Sequence, residues 1–512
     1  MATNLSQLTR TTNLSQLTRT AFARYLDNAQ LQHQPHQFNG VEWCVNNEHD
    51  RDKPSGVRGG FIADEMGLGK TIMMVATIHI NPLPHTLIVL PPVLIKQWEE
   101  CIIHTTGIKP IIYHGHRKNK ITIDALLHTS VVITTYGNIF IQPIDFYRQQ
   151  INNKLHLIQW DRIVFDEAHH LRNRRNITTQ SARFLKANIR WLISGTPIQN
   201  KKDDFYSLCS VLRLSPIYYT NHNNLSDIAK HFIIKRTKAS IGITMTDIVH
   251  HSNTVSWQNT REEALSQTIH ASIGFTKHNY NDSIHAHPLE LFLRARQSCT
   301  MPSLLHDFLQ KVDYDKNIRF TQSSKLDTVV QTILRNLQNH NLKLVFCSFR
   351  AEIDYLYNHL SDNSVSVQIF DGRVSERKRN HILKQNYQVI LLQIQTGCEG
   401  LNLQQYNEIY FVSPHWNPAV EQQAIARCHR IGQNKPVHIY RFHMEKFKDN
   451  SEQQQKTDDI IKIKQQNKQK QHNNIHENDT ENDTETNIEA HICSIQQNKT
   501  IIAQQILPCN SN

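Results

Sequence analysis

Asp64–Thr71 (DEMGLGKT) combines the residue types and spacing needed to hold a polyphosphate. A glycine-rich turn lets backbone N–H groups approach phosphate oxygens, and the helix expected from the following TIMMVATI adds positive potential at its N-terminus. There Lys70 would hold the β- and γ-phosphates, with the Thr71 hydroxyl on Mg²⁺. Asp64 occupies the place of the first glycine of the strict loop, so the string alone is a weak signal. Further along, the apolar IVF leads into Asp166-Glu167-Ala168-His169. Two carboxylates delivered to a sheet edge can divide the work: Asp166 can bind Mg²⁺ through water, and Glu167 can orient and deprotonate an attacking water. The blander reading, an acidic pair on a surface loop, fits poorly with a strand end downstream of a phosphate loop. Ser194-Gly195-Thr196-Pro197 closes another apolar strand with small hydroxyl side chains, which could sense the nucleotide site and contact a track.

A third constellation lies near the far end of the chain. Asn417-Pro418 can start a helix and Gly432 can end it, which puts Gln423, Arg427 and Arg430 at i, i+4 and i+7 on one face. Without context, such a face is most often a solvated basic surface. Other candidates carry less. His278, His285 and His287 have a loosely metal-like spacing, but only Cys299 lies near, so a polar, solvent-facing insertion is expected. Trp98, in PPVLIKQWEE, is expected to be core packing. The nine cysteines stand singly from Cys44 to Cys509 without a CxxC pair, which argues against a disulfide framework or a zinc insert and fits reduced thiols.

The elements that must position these residues are legible as short apolar runs. TLIVLPP (86–92), VVITTY (131–136), RIVFDEAHH (162–170) and RWLISGTP (190–197) each read as a strand buried on both faces and ending where polar residues begin. With longer segments between them, they imply a parallel sheet with crossover helices, whose ligands sit beyond the carboxyl ends of the strands. A second set follows: KLVFCSF (343–349), VSVQIFDG (365–372), YQVILLQIQTG (387–397), EIYFVSP (408–414) and VHIYRF (437–442). Leu326, Val329, Val330, Ile333, Leu334 and Leu337 form a helical stripe between the sets, to be read as core. The fold class is therefore α/β, with two parallel-sheet lobes joined by a mostly helical connector and flanked by polar, disordered termini. The expected divisions are a polar tail over 1–30, a first lobe over 31–238, a helical connector over 239–324, a second lobe over 325–448 and a polar tail over 449–512.

Composition sets the wider bounds. The 512 residues allow two or three domains, and a formal charge of +11 favours a polyanionic partner, since each phosphate neutralised releases a counterion. No apolar run approaches bilayer length and the N-terminus has no signal-peptide core, so no membrane partner is expected. The repeat TNLSQLTRT, at 3–11 and again at 12–20, is too short for a solenoid and reads as a duplication in a tolerant end. The run HENDTENDTETNIE (476–489) is too polar to bury anything and is expected to be disordered.

In their order, the phosphate loop, DEAH and SGTPIQN (194–200) resemble a helicase of superfamily two, and the strings around them resemble the Swi/Snf-type ATPases, its chromatin-remodelling and DNA-translocating branch. LQHQPHQFNGVEW (31–43) is similar to that family's adenine-reading segment, which would put Gln37 on the base. ADEMGLGKT is the family's form of the loop, implying that Asp64, Glu65, Met66, Gly67, Leu68, Gly69, Lys70 and Thr71 line the nucleotide. FIIKRTK (232–238) resembles the basic string closing the first lobe, with Lys235 in place of the commoner arginine. EQQAIARCHRIGQ (421–433) resembles the arginine-finger segment, implying that Arg427 and Arg430 stabilise charge on the γ-phosphoryl group from across a cleft. QTGCEGLNL (395–403) and SPHWNP (413–418) resemble the segments linking cleft and track, although Cys398, Glu399 and His415 depart from the common residues. FDGRVSER (370–377) and CSFR (347–350) fit phosphate-backbone contacts.

The resemblance spans about 31–445 and implies two RecA-like lobes with ATP and Mg²⁺ between them. It further implies ATP hydrolysis that drives movement along double-stranded DNA, with sequence-independent phosphate contacts, nucleosomes or other DNA-bound protein as cargo, and action in the nucleus. Two rivals stay open: a strand-separating helicase, and a catalytically inactive nucleic-acid scaffold, although Lys70, Asp166, Glu167, Arg427 and Arg430 are all present.

Overall fold

Apolar runs form strands here because residues alternate between two covered faces. In a computed structural model, which describes residues 2–50, 53–148, 150–195, 202–275, 287–312, 319–397, 401–447 and 487–506, the first lobe carries β1 (Arg58–Ile62), β2 (Thr86–Leu90), β3 (Ile111–Tyr113), β4 (Val131–Thr135), β5 (Gln159–Asp166), β6 (Lys186–Ile193) and β7 (Ile233–Ile234). Their order is β3-β4-β2-β5-β6-β1-β7, and every pairing is parallel. Leu87 and Val89 enter the core on one face of the sheet, and Ile88 and Leu90 the core on the other. Each such side chain contributes about 1.5–3 kcal/mol by leaving water. The register places the chemistry: Ile62 is level with Ile193 and Ile234, and Ile193 with Asp166. The phosphate loop, the acidic pair, Ser194 and the FIIKRTK string therefore leave the sheet side by side.

The N-terminal segment, expected as a polar tail, is helical over Ala2–Asn28. Phe22, Tyr25 and Leu26 lie at helical spacing and are buried in the first lobe, with Phe22 meeting Phe38 edge-on at 4.9 Å. Arg19, in the second copy of the repeat, bonds Glu42 at 2.6 Å and Asn39 at 2.8 Å. Apolar side chains on one face thus dock an otherwise polar string.

The second sheet contains β8 (Ile248–Val255), β9 (Lys343–Cys347), β10 (Val367–Phe370), β11 (Val389–Gln393), β12 (Glu408–Phe411) and β13 (Val437–Met444), in the order β10-β11-β9-β12-β13-β8, again parallel. β8 lies within the stretch expected to be a helical connector. It is an edge strand with polar, half-exposed side chains, so it lacks the apolar run that marks the others. Leu265, Ile269, Leu291 and Ala295, from helices in the same stretch, pack in one core with Val329, Val345 and Leu391. By packing, the second lobe thus begins near residue 248.

The C-terminal expectation also changes at its end. Asn487, Ile488 and Glu489, the last part of which was expected to stay unburied, start a helix (Ile488–Ile506) and are buried. Their polarity is satisfied internally: Glu489 pairs with the buried Lys325 and accepts from the Met444 N–H at 2.9 Å, and Asn487 donates to the Met444 carbonyl at 2.9 Å. A polar string can bury when each polar atom finds a partner.

Candidate active site

The phosphate loop is shaped by two glycines in left-handed backbone, Gly67 (φ 90°) and Gly69 (φ 81°). A side chain at Gly69 would meet Gln37 Nε2 at 2.2 Å, so the loop and the helix Pro35–His49 need glycine there for both reasons. Gln37 and His36 both reach the Leu68 carbonyl, at 3.4 and 3.1 Å. Lys70 opens the helix Lys70–Ile80 and its Nζ donates back to the carbonyls of Asp64 (2.8 Å) and Glu65 (3.2 Å). Asp64 is fully buried and held by Arg236, whose Nε and backbone N–H each lie 3.0 Å from Oδ1. Glu65 pairs with Lys238 at 3.0 Å. Met66 packs under Gly195, and Thr71 follows Lys70 into the helix.

Asp166 is the last residue of β5, and Glu167 follows in left-handed backbone with φ 50°. Trp98 Nε1 donates to Asp166 Oδ2 at 2.7 Å, the Glu167 N–H to Oδ1 at 3.0 Å, and the Tyr136 hydroxyl to the Asp166 carbonyl at 2.7 Å. Glu167 Oε2 lies 3.3 Å from His169 Nδ1, which in turn lies 3.5 Å from the Ser194 hydroxyl. The two acids titrate as a pair and are pushed apart. Burial raises Asp166, with the Glu167 charge adding to it. Burial would also raise Glu167, but the His169 hydrogen bond and the His169, Lys70 and Arg427 charges outweigh it and hold it low. Burial pushes the Lys70 ammonium down, against the opposing pull of Glu167, Asp64 and Asp166, and the Arg427 charge pushes the same way as burial.

A buried ion pair joins the helix Pro35–His49 to β5. Arg162 of β5 donates to Glu48 through Nε at 2.6 Å and through a terminal nitrogen at 2.5 Å, and Glu48 also accepts from Trp191 (2.8 Å) and Asn81 (2.6 Å). Both side chains are fully buried.

The second lobe contributes the helix Pro418–Cys428, capped by the Asn417 side chain at the Ala419 N–H, 3.1 Å away. Gln423 and Arg427 are buried on it, and it is Arg427 whose charge bears on Lys70 and Glu167. Arg430 departs from the expected common helical face, because the helix ends at Cys428 and the chain turns. Its Nε donates to the Ala426 carbonyl at 2.8 Å, and burial followed by the Arg427 charge lowers it to about 10. Lys238 of the first lobe reaches the His429 carbonyl at 3.3 Å, so one ammonium touches both the phosphate-loop glutamate and the arginine segment.

Residue patterns alone did not single out His36, Trp98, His169, Arg236 or Lys238. Arg236 and Lys238 stand in the FIIKRTK string, which was the available signal, while Trp98 read as packing. Arg373 of FDGRVSER is held by Asp354 (2.8 Å) and Asp371 (2.8 Å) rather than projecting alone. Thr196, Pro197, Cys398, Glu399, His278 and His285 lie outside the described residues, and His287 caps the helix Pro288–Thr300. The seven described cysteines are free thiols. Among the described residues no helix is long and apolar enough to cross a membrane, and no group of three or more His, Cys, Asp or Glu could hold a metal ion. A carboxylate, a hydroxyl and phosphate oxygens make the hard donor set that Mg²⁺ takes, and Asp166 and Thr71 are residues of the first two types.

Comparison with known proteins gives concordant matches. The family description "SNF2-related domain" matches residues 36–304, and "Helicase conserved C-terminal domain" matches 324–432. The chain is similar to a probable global transactivator of Orgyia pseudotsugata multicapsid polyhedrosis virus, 29% identical over 443 residues that cover 79% of this chain and 85% of the viral protein. It is similar to the ATP-dependent DNA helicase DDM1 of Arabidopsis thaliana, 25% identical over 80% of this chain, which spans 58% of the plant protein's length. Among solved structures it is similar to the Sulfolobus solfataricus SWI2/SNF2 ATPase core in complex with dsDNA, with 23% identity, a TM-score of 0.39, and coverage of 86% of this chain and 92% of that one.

Proposed function

The chain belongs to the SNF2-related family of ATP-dependent helicases, and from that membership we propose that it is a DNA translocase which hydrolyses ATP between its lobes to move along a duplex and displace or remodel DNA-bound protein. ATP hydrolysis is the family's chemistry. In the proposed division of labour, Lys70 and the backbone of residues 64–69 bind the phosphates, Gln37 faces the base, Glu167 takes the proton of the attacking water, and Arg427 stabilises charge on the γ-phosphoryl group with Arg430 behind it. Asp166 and Thr71 would hold Mg²⁺, which when bound neutralises phosphate charge. The low-lying Glu167 is ionised at neutral pH, as a proton acceptor must be, and the His169–Ser194 relay ties its position to the next strand end.

One observation carries the reading: the Lys238 ammonium lies 3.0 Å from Glu65 of the phosphate loop and 3.3 Å from the His429 carbonyl of the arginine segment, so the second lobe meets the first at the loop. A site assembled from two lobes is complete only when they are apposed, which lets a bound track govern hydrolysis. The net charge of +11 supports a polyphosphate track, read largely through phosphates and weakened steeply by salt. Nuclear DNA, or a viral genome, is the proposed setting. The test is ATPase activity with and without double-stranded DNA, beside Lys70→Ala, followed by triplex displacement and strand displacement. DNA-stimulated hydrolysis that falls about 10²–10³-fold in the variant, with triplex displacement, is expected. Equal, feeble hydrolysis in both proteins would point to a scaffold, and unwinding without triplex displacement to a strand-separating helicase.

A further inference from the structure

Three tryptophans are fully buried in the first lobe, and each indole N–H has an acceptor. Trp160 donates to the Leu155 carbonyl at 2.9 Å, and Trp191 to Glu48 at 2.8 Å. Trp98 differs: its N–H goes to Asp166 Oδ2. A buried indole needs an acceptor, and a carbonyl would serve. Pointing it at the strand-end carboxylate has consequences that packing does not require.

With Trp98 on Oδ2 and the Glu167 N–H on Oδ1, each oxygen carries one donor, and the two fix the plane of the carboxylate. Every oxygen still keeps a lone-pair position for another partner. The indole N–H is a donor only and keeps its proton throughout, so it holds Oδ2 as an acceptor whatever else that oxygen meets. The main chain of the same turn is held separately by Tyr136 at the Asp166 carbonyl. The sheet order explains why these clamps exist: β2 lies beside β5 with β4 beyond it, the helix carrying Trp98 follows β2, and Tyr136 follows β4 directly. Two strand ends on one flank thus brace the third.

We propose that Trp98 is a positioning residue for Mg²⁺–nucleotide binding, its indole N–H setting the orientation in which the Asp166 carboxylate meets the metal-bound nucleotide. The inference rests on the reading of Asp166 as the carboxylate that serves Mg²⁺. Trp98→Phe removes the donor and keeps an aromatic ring. A benzothienyl side chain at position 98, with sulfur in place of the N–H, keeps the full shape and guards against loss of folding in the first variant.

The experiment is equilibrium binding of a fluorescent ADP analogue to the full chain, titrated with Mg²⁺ and repeated in EDTA, with Asp166→Asn alongside. Half-saturating Mg²⁺ should rise about ten- to a hundredfold in both Trp98 variants, with binding in EDTA unchanged. In turnover, kcat should fall while KM for ATP at saturating Mg²⁺ holds. If Asp166→Asn moves the Mg²⁺ midpoint and neither Trp98 variant does, Trp98 is packing alone and the proposal is overturned while the role of Asp166 stands. If binding weakens equally with and without Mg²⁺ as the melting temperature drops, the role is structural and the proposal is again overturned. If Asp166→Asn leaves the midpoint in place, the reading of Asp166 has failed and the proposal falls with it.

Discussion

Glu48→Ala is the substitution by which the buried Glu48–Arg162 pair is best tested. Glu48 and Arg162 are fully buried, and arginine cannot escape by releasing its proton. Truncating the acid leaves a guanidinium whose remaining neighbours are the Thr86 hydroxyl at 3.3 Å and the Asn81 carbonyl at 2.9 Å. It also strips the acceptor from Trp191 and from the Asn81 amide. Removing one partner of a buried pair costs about 3–5 kcal/mol, far more than the pair itself is worth, because the survivor's charge is uncompensated. For a lobe of this size each kcal/mol moves the melting temperature by about 2–4 °C, so the variant should melt roughly 6–20 °C lower. Replacing both partners by apolar side chains, Glu48→Leu with Arg162→Met, should recover most of the loss, since no charge is then stranded. Calorimetry and urea unfolding of the three proteins provide the measurement. A single-variant loss under about 1 kcal/mol would refute the reasoning, because a pair that weak behaves as a solvated one.

Other outcomes follow from the same geometry. Arg427→Ala should lower kcat by about 10³-fold or more, with ATP affinity little changed. Arg430→Ala should cost at least tenfold less than that, since the Arg430 Nε is turned back onto the Ala426 carbonyl while the Arg427 charge bears on Lys70 and Glu167. Comparable losses in single-turnover hydrolysis would count against that ranking. In the second lobe, burial raises Glu352 from 4.5 to about 7, although its carboxylate accepts the Ser348 and Phe349 N–H groups. The folded state therefore keeps a proton that the unfolded chain has released. This stabilisation is complete below pH 4.5 and is lost as pH rises through 7, a change of roughly 3 kcal/mol. Glu352→Gln should abolish it. His270, lowered to about 4 by burial, acts in the opposite sense, so the signal is the difference in urea stability between wild type and variant across this window. A difference independent of pH would show that Glu352 is not buried as a neutral acid.

Much of this molecule is written locally. An apolar run such as IVF or TLIVL announces a strand covered on both faces, and the polar residues after it announce the working edge, so β2, β4, β5 and β6 and the residues they deliver were legible. β8 was not, because an edge strand with histidines, serine and asparagine outward has no apolar run to show. Nor was the burial of Asn487 and Glu489, whose partners Met444 and Lys325 lie 43 and 164 residues away. The same holds within the site: Trp98 finds Asp166 across 68 residues and Arg236 finds Asp64 across 172. A donor's type can be read from sequence, but its acceptor is chosen by the sheet order. Arg430 shows the converse limit, where a helical spacing extended past the point at which the helix stopped.

The position of β1 has a bearing on how the chain comes into being. This strand carries the phosphate loop, is among the first made, and yet lies between β6 and β7, the last two of its sheet. During synthesis it must wait for both neighbours, and Asp64 must wait for Arg236, 172 residues later. At about 5–20 residues per second that interval is on the order of ten to thirty seconds, during which a glycine-rich, apolar segment has no sheet to join. A nascent chain therefore gains its nucleotide loop late and all at once, when the whole lobe closes around β1. ATP would then recognise only finished lobes, and any factor that shields residues 58–80 during translation would act over that interval.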